Sequence, residues 1–473
     1  MLLKKTIKLE QYKKMKIRIN SKEHTLPEVK PELLMPAGDL EKAKFAIAYG
    51  ADAVYAGVPM FALRSKENKV DFTNIKEIVD YVHSKNKKIY LTLNIYAHNS
   101  KLEPLQNTMQ TMIDLKPDAF IVSDPGIIQV ISEKCVENKI PIHLSTQANT
   151  TNWASVKFWQ KNGVSRIILA RELTLTEIKE IKDQVPDMEL ESFIHGSMCM
   201  SYSGRCLLSN FMTGRDANQG TCAQNCRWEY KLFEEKQELP TANGIQTIQR
   251  TEIKKNKSYV LEEKLRPGEF IPVEEDEFGT YFMSSRDMCS ADFLGEIMLT
   301  GVDSFKVEGR NKSIYYAAIV AKVYRKIIDE IYEGKEINTD EAIKELISTG
   351  NRGFIPGFYF GDLQENSTRY ESNKFMQTHT YAGRILPINE TESITINVKN
   401  RIDIGDELEI ITPKQTIKIK VEKMKNEEGV DIQVIHPGQG KVTIPCKEKI
   451  TILLKNEEFI LARLEGGQKR KQA

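Results

Sequence analysis

Between residues 32 and 335, short β-branched or apolar runs alternate with amphipathic stretches of helical period, and the alternation repeats eight times. Each unit couples a strand apolar enough to be buried on both faces with a helix that needs a sheet to cover, the pattern of parallel βα architecture. The spacing predicts strands at 33–35, 53–57, 88–94, 119–123, 142–146, 166–170, 189–195 and 304–308. It predicts helices at 40–49, 74–84, 102–115, 126–137, 153–162, 175–183, 291–300 and 314–332. Eight units point to a closed (β/α)8 TIM-like barrel rather than an open doubly wound sheet. The seventh unit is split by a cysteine-bearing segment and by a charged insertion over 231–281.

A further helix is expected at 340–348, followed by the aromatic and glycine-rich stretch Asn351-Arg-Gly-Phe-Ile-Pro-Gly-Phe-Tyr-Phe-Gly361, read as a cover for one barrel face. From Tyr381 the texture becomes short alternating strands with turn residues, as in Ser393-Ile-Thr-Ile-Asn-Val398, which predicts a small C-terminal β-barrel domain. The resulting division is a basic N-terminal segment (1–30), the barrel (31–230 and 282–376), the insertion (231–281), the C-terminal domain (377–456) and a basic tail (457–473).

Lys+Arg 67 against Asp+Glu 66 leaves a net charge of +1, so any nucleic-acid contact must come from local patches and not from a global field. No apolar run approaches membrane-spanning length, and the N-terminus lacks the apolar core of a secretory signal. With an odd count of seven cysteines, a disulfide framework is not expected and a reducing, cytoplasmic setting is, without a membrane partner; the oligomeric state stays open.

Four of those cysteines stand together, in Cys199-Met-Ser-Tyr-Ser-Gly-Arg-Cys206 and Cys222-Ala-Gln-Asn-Cys226, with Cys289 further along. Clustered thiolates suit zinc or an iron–sulfur cluster, because sulfur donors match those ions and not oxygen-seeking magnesium or calcium. The spacing departs from the paired Cys-x-x-Cys knuckles of a zinc ribbon, which favours iron–sulfur and keeps zinc as the alternative. Cys135 and Cys446 read as ordinary packed thiols.

In a barrel of this kind the working face lies at the carboxyl ends of the strands. Residues expected there include Asn94, Gln147 with Asn149, Arg171, His195, Cys199, Glu308 and Arg310. Arg171 and Arg310 are candidates to clamp a carboxylate or phosphate, since guanidinium is a planar, permanently charged fork of donors. His195 and Glu308 are the candidate catalytic groups, His195 as a general acid/base or a donor to a substrate oxygen. Asn94 and Gln147 are candidate substrate-binding amides. Metalloprotease His-Glu-x-x-His, Gly-x-Ser-x-Gly, P-loop and complete Gly-x-Gly-x-x-Gly signatures are all missing, so a conventional hydrolase is poorly supported.

The stretch from Glu191-Ser-Phe-Ile-His-Gly-Ser-Met-Cys199 through Cys206-Leu-Leu-Ser209 resembles the signature of the collagenase-like U32 peptidase family. Leu34-Met-Pro-Ala-Gly38, Gly50-Ala-Asp-Ala-Val-Tyr-Ala-Gly57, Leu144-Ser-Thr-Gln147, Leu169-Ala-Arg-Glu172 and Phe305-Lys-Val-Glu-Gly-Arg310 extend the likeness over the whole barrel. Asn218-Gln-Gly-Thr-Cys222-Ala-Gln-Asn-Cys226-Arg-Trp-Glu-Tyr230 is similar to the branch of tRNA uridine hydroxylation proteins. That resemblance implies a tRNA-modifying hydroxylase that uses prephenate to form 5-hydroxyuridine at the wobble position. It also implies a 4Fe-4S cluster on Cys199, Cys206, Cys222 and Cys289, with Cys226 as the alternative to Cys222 or Cys289. The competing readings are a U32-type peptidase and a non-catalytic assembly factor with a structural metal.

Overall fold

The structure is a computed structural model that describes residues 26–63, 71–228, 285–363, 376–387, 392–447 and 460–465, together with the backbone of short strands between 233 and 281. Six βα units and a seventh strand run in order: β1 (Glu32–Pro36) and α1 (Leu40–Ala48), β2 (Ala53–Gly57) and α2 (Phe72–Ser84), β3 (Lys88–Leu93) and α3 (Leu102–Asp114), β4 (Ala119–Val122) and α4 (Pro125–Glu137), β5 (Ile142–Leu144) and α5 (Trp153–Lys161), β6 (Val164–Ile168) and α6 (Leu175–Gln184), then β7 (Glu189–Ser197). A short helix, α7 (Leu208–Thr213), follows β7. In the insertion, β8 (Phe233–Gln237) pairs antiparallel with β9 (Ile248–Glu252), and β10 (Tyr259–Glu262), β11 (Phe270–Glu275) and β12 (Thr280–Tyr281) form a second antiparallel group.

The chain then returns through β13 (Asp287–Cys289), α8 (Leu294–Leu299), β14 (Ser304–Val307), α9 (Ile314–Tyr332) and α10 (Thr339–Ile347). β14 pairs in parallel with both β1 and β7, which closes β1–β7 and β14 into an eight-stranded parallel barrel. The strand interiors are apolar and buried, for example Leu33, Val54, Leu91, Val122 and Leu144, as a sheet covered by helices requires. The helices start where a side chain satisfies the first free amides: Asp39, Asp71, Asp124, Asn152 and Ser313 each cap one, and Thr174 with Glu177 forms a capping box. Most of these caps sit at the carboxyl-end rim and so hold the loops that surround the site.

Some expected bounds shift. β5 ends at Leu144 instead of 146, because Ser145 caps a 3-10 turn at Thr146–Ala148, and β6 starts two residues earlier than the spacing indicated. The aromatic stretch supplies β15 (Phe354–Ile355), which pairs with β13, and places Tyr359 so that its hydroxyl donates to the Phe193 carbonyl of β7. Among the described residues no helix is long and apolar enough to cross a membrane.

The C-terminal domain is an antiparallel half-barrel with its own apolar core, built from β16 (His379–Ile385), β17 (Ser393–Val398), β18 (Ile402–Asp403), β19 (Glu407–Ile411), β20 (Thr416–Lys420), β21 (Val434–Ile435), β22 (Lys441–Pro445) and β23 (Ile460–Glu465). β23 lies between β19 and β16, so the domain runs past residue 456, where the sequence reading ends it. The domain docks on α1, α9 and α10. Tyr49 donates to the Ile411 carbonyl at 2.8 Å and Lys322 to that of Thr412 at 3.0 Å, while buried Arg463 joins Glu409, Glu345 and the Tyr315 hydroxyl.

Candidate functional site

The barrel interior is polar beneath the site. Arg166 on β6 reaches Glu32 at 2.6 Å, Glu189 at 2.7 Å and Glu191 at 3.3 Å, and Lys306 on β14 donates to Glu191 at 2.8 Å. Tyr90 donates to Glu32 at 2.7 Å. Burial pulls the Lys306 amine below the usual lysine range, against the attraction of Glu191. Of these groups Arg166, Glu191 and Lys306 are buried, and each is matched by an opposite charge, the condition under which buried ions are tolerated.

Above this layer, at the carboxyl ends of the strands, lies a cavity of about 420 Å³. Its walls bring together Asn94, Gln147, Arg171, Glu308 and Arg310 with Cys199, Cys206, Cys222 and Cys226. Asn94 accepts from the Leu63 amide at 3.1 Å and so ties down the loop after β2. Arg310 donates to Thr92 Oγ1 at 3.0 Å and to the Leu63 carbonyl at 2.6 Å. Only glycine leaves it room, since a Cβ on Gly57 would come within 2.8 Å of Arg310 Nη1. Arg310 is thus a wall-forming cation.

Arg171 is held differently. Its guanidinium lies 3.9 Å from the centroid of the Phe193 ring, and its buried Nε has no hydrogen-bond partner in the protein. Burial pushes the carboxyl of the neighbouring Glu172 upward, against backbone hydrogen bonds and the attraction of the Arg171 charge. A cation fixed by stacking, with donors unspent, is the form of an anion receptor.

The cysteine segment leaves β7 and runs across the cavity mouth. Gly204 presses it onto the turn after β5: a Cβ there would lie 2.3 Å from the Gln147 carbonyl oxygen, and φ is +75°. Tyr96 fastens the same region, donating through its hydroxyl to Gln147 O and accepting at its own carbonyl from the Gln219 amide. Arg227 donates to the Met198 carbonyl at 2.8 Å. Burial pushes the Cys226 thiol above its usual range against the pull of Arg227, and Cys199, Cys222 and Cys206 add to the shift. Among the described residues, no three His, Cys, Asp or Glu side chains converge closely enough to hold a single metal ion.

Two expected site residues lie elsewhere. His195 is buried behind the barrel wall, packed against Tyr316, Tyr324 and Phe354, with Nδ1 at 3.2 Å from the Tyr324 hydroxyl. The cause is a bulge: Lys306 pairs with Phe193 but Val307 pairs with His195, so one extra β7 residue turns His195 from the axis toward α9. Burial lowers its pKa to about 3. Cys289, on the strand that pairs outside β7, is buried 3.7 Å from the same Tyr324 hydroxyl and does not line the cavity. Burial pushes its thiol up to about 12. In the cavity, Cys226 stands where Cys289 was expected.

The sequence reading passed over Tyr55, Thr92, Phe193 and Lys306, which line the cavity with Lys312, Arg227 and Arg352. Lys312 donates to the Gly350 carbonyl at 2.9 Å, and burial lowers its pKa to about 8. The signal was present in Arg166, Glu191 and Lys306, charged residues within three of the expected barrel strands, which mark a polar barrel interior.

Residues 38–369 match peptidase family U32 and residues 377–453 match the peptidase family U32 C-terminal domain. The chain is 41% identical over 454 residues to tRNA hydroxylation protein P of Escherichia coli (strain K12), covering 93% of this chain and 98% of that one. It is 43% identical over 419 residues to the protein of the same name in Haemophilus influenzae, covering 84% and 89%. It is also 34% identical over 302 residues to the 23S rRNA 5-hydroxycytidine C2501 synthase of Escherichia coli (strain K12), covering 64% of this chain and 40% of that one. Extending over both the barrel and the C-terminal domain, these matches establish that the chain belongs to peptidase family U32.

Proposed function

We propose that this protein is a tRNA-modifying hydroxylase that forms 5-hydroxyuridine at the wobble uridine, with prephenate as co-substrate and an iron–sulfur cluster held by cysteine thiolates. The observation that carries this reading is that four thiols and Arg171, whose buried Nε has no partner in the protein, line one cavity of about 420 Å³. That volume suits a small organic acid beside an inserted base. The names of the similar proteins, which refer to hydroxylation of tRNA and to 5-hydroxycytidine in rRNA, supply the substrate class.

Cys199, Cys206, Cys222 and Cys226 are the residues that would hold the cluster. A single zinc with sulfur at about 2.3 Å draws its thiolates almost into contact, whereas a four-iron cluster spaces four cysteines around a larger body. A donor set that shares one cavity yet does not close on one ion fits the latter. When bound, a cluster of this type supplies electron transfer.

The chain's own residues do the rest. Arg171 receives a carboxylate of prephenate, and Phe193 keeps the guanidinium plane oriented. Gln147 offers an amide that can both donate and accept, as a uracil edge requires. Glu308 stands on the wall as the nearby proton acceptor. The target base has to leave its stack to enter, as for other enzymes that act on bases, and a tRNA substrate places this work in the cytoplasm.

The peptidase reading is weaker on one specific point. Among the described residues the cavity wall has no histidine, so its thiols lack the imidazole partner of a cysteine–histidine nucleophile pair. The deciding experiment is the nucleoside profile of tRNA from cells with and without the gene. Loss of 5-hydroxyuridine, restored by the wild-type gene, is expected; an unchanged profile overturns the assignment.

A further inference from the structure

Of fourteen large hydrophobic side chains exposed among the described residues, six fall between residues 200 and 228, on the segment that rims the cavity. They include Tyr202 (54% exposed), Leu207 (71%), Phe211 (90%) and Trp228 (41%). Leu207 and Phe211 are four residues apart and share one face at α7. The Trp228 indole N–H donates to the Ala223 carbonyl at 3.1 Å, which pins the ring by its edge. Residues 199–228 contain three arginines, Arg205, Arg215 and Arg227, and one acidic residue, Asp216, a surplus of +2. The Asp216 carboxylate is engaged by the Asn218 amide at 2.8 Å. Tyr202 also lines the cavity, so the surface is continuous with the site.

Exposed aromatic faces interleaved with arginine, beside a pocket, are what unpaired nucleotides stack on, because every base has a π-face and every linkage a negative phosphate. We infer that Tyr202 and Phe211 form a stacking platform for the loop nucleotides flanking the target base, with Arg205 and Arg215 facing their phosphates. This inference rests on the RNA reading above and names the surface that takes the RNA.

The test measures binding of a labelled anticodon stem–loop RNA to the full chain by fluorescence anisotropy at several salt concentrations. Phe211→Ala and Tyr202→Ala should each weaken binding about 5- to 100-fold and leave the salt slope unchanged. Arg205→Gln should lower that slope by about one. Phe211→Trp should restore binding, and Phe158→Ala, at an exposed ring on α5, should do nothing. Wild-type affinity in both alanine variants, as when another part of the chain or a second copy covers the surface, overturns the platform and leaves the RNA reading intact. Absence of RNA binding by the wild-type protein overturns both.

Discussion

The guanidinium of Arg171 lies over the Phe193 ring, 3.9 Å from its centroid, in the cavity that the cysteine segment also lines. Lysine can supply the charge there but neither the planar stack nor the paired donors. Arg171→Lys should therefore raise the KM for the carboxylate co-substrate at least tenfold with a smaller change in kcat, and Phe193→Leu should move the same parameter in the same direction. Steady-state assay against prephenate, with the melting temperature as a control, checks this.

Cysteine substitutions should divide according to position and not according to spacing in the chain. Cys199→Ala, Cys206→Ala, Cys222→Ala and Cys226→Ala, all at the cavity, should each deplete iron and sulfide and abolish 5-hydroxyuridine. Cys289→Ala should keep both, because that thiol is packed against Tyr324 and not presented to the cavity. Iron and sulfide analysis of anaerobically purified variants decides the matter, and an iron-free Cys289→Ala would restore the original ligand set.

The buried charges below the cavity should be unequal in cost to any surface pair. Glu191 is the carboxylate that Lys306 donates to, and Arg166 keeps Glu32 and Glu189, so Glu191→Ala strands one buried cation, Lys306, and should destabilise the barrel by about 3–5 kcal/mol. An exposed pair such as Lys76 with Asp80 should contribute less than about 1 kcal/mol. Denaturant titration of Glu191→Ala and Asp80→Ala measures the contrast.

His195 should behave as a structural imidazole. Its folded pKa of about 3 lies below the value of 6.5 for a free side chain, so between these limits the unfolded chain binds a proton that the folded one refuses. Stability should rise with pH across that window and fall as pH drops through it. His195→Gln should flatten this dependence relative to wild type in denaturation curves between pH 4 and 7, and it should not remove an ionisation from the pH–activity profile.

Much of the barrel was readable because its determinants are local. The 2-residue and 3.6-residue periods, with caps such as Asp124 and Thr174, specify strands and helices wherever they occur, and eight repeats leave few ways to bury them. Arg171, Glu308 and the paired cysteines could be assigned to the rim for the same reason, since a residue just past a barrel strand emerges on that face.

The sequence alone determined the repeat architecture, the rim where Arg171, Glu308 and the paired cysteines gather, and the thiol-rich segment, all of which follow from short-range pattern. Only tertiary structure decided which side chains face the cavity. A one-residue bulge reverses the direction of His195, β13 pairs outside β7 and takes Cys289 with it, and β23 is recruited by strands far away in the chain. Register and pairing between distant segments depend on contacts that no local period encodes, and a shift of one residue exchanges the inside of a barrel for its outside.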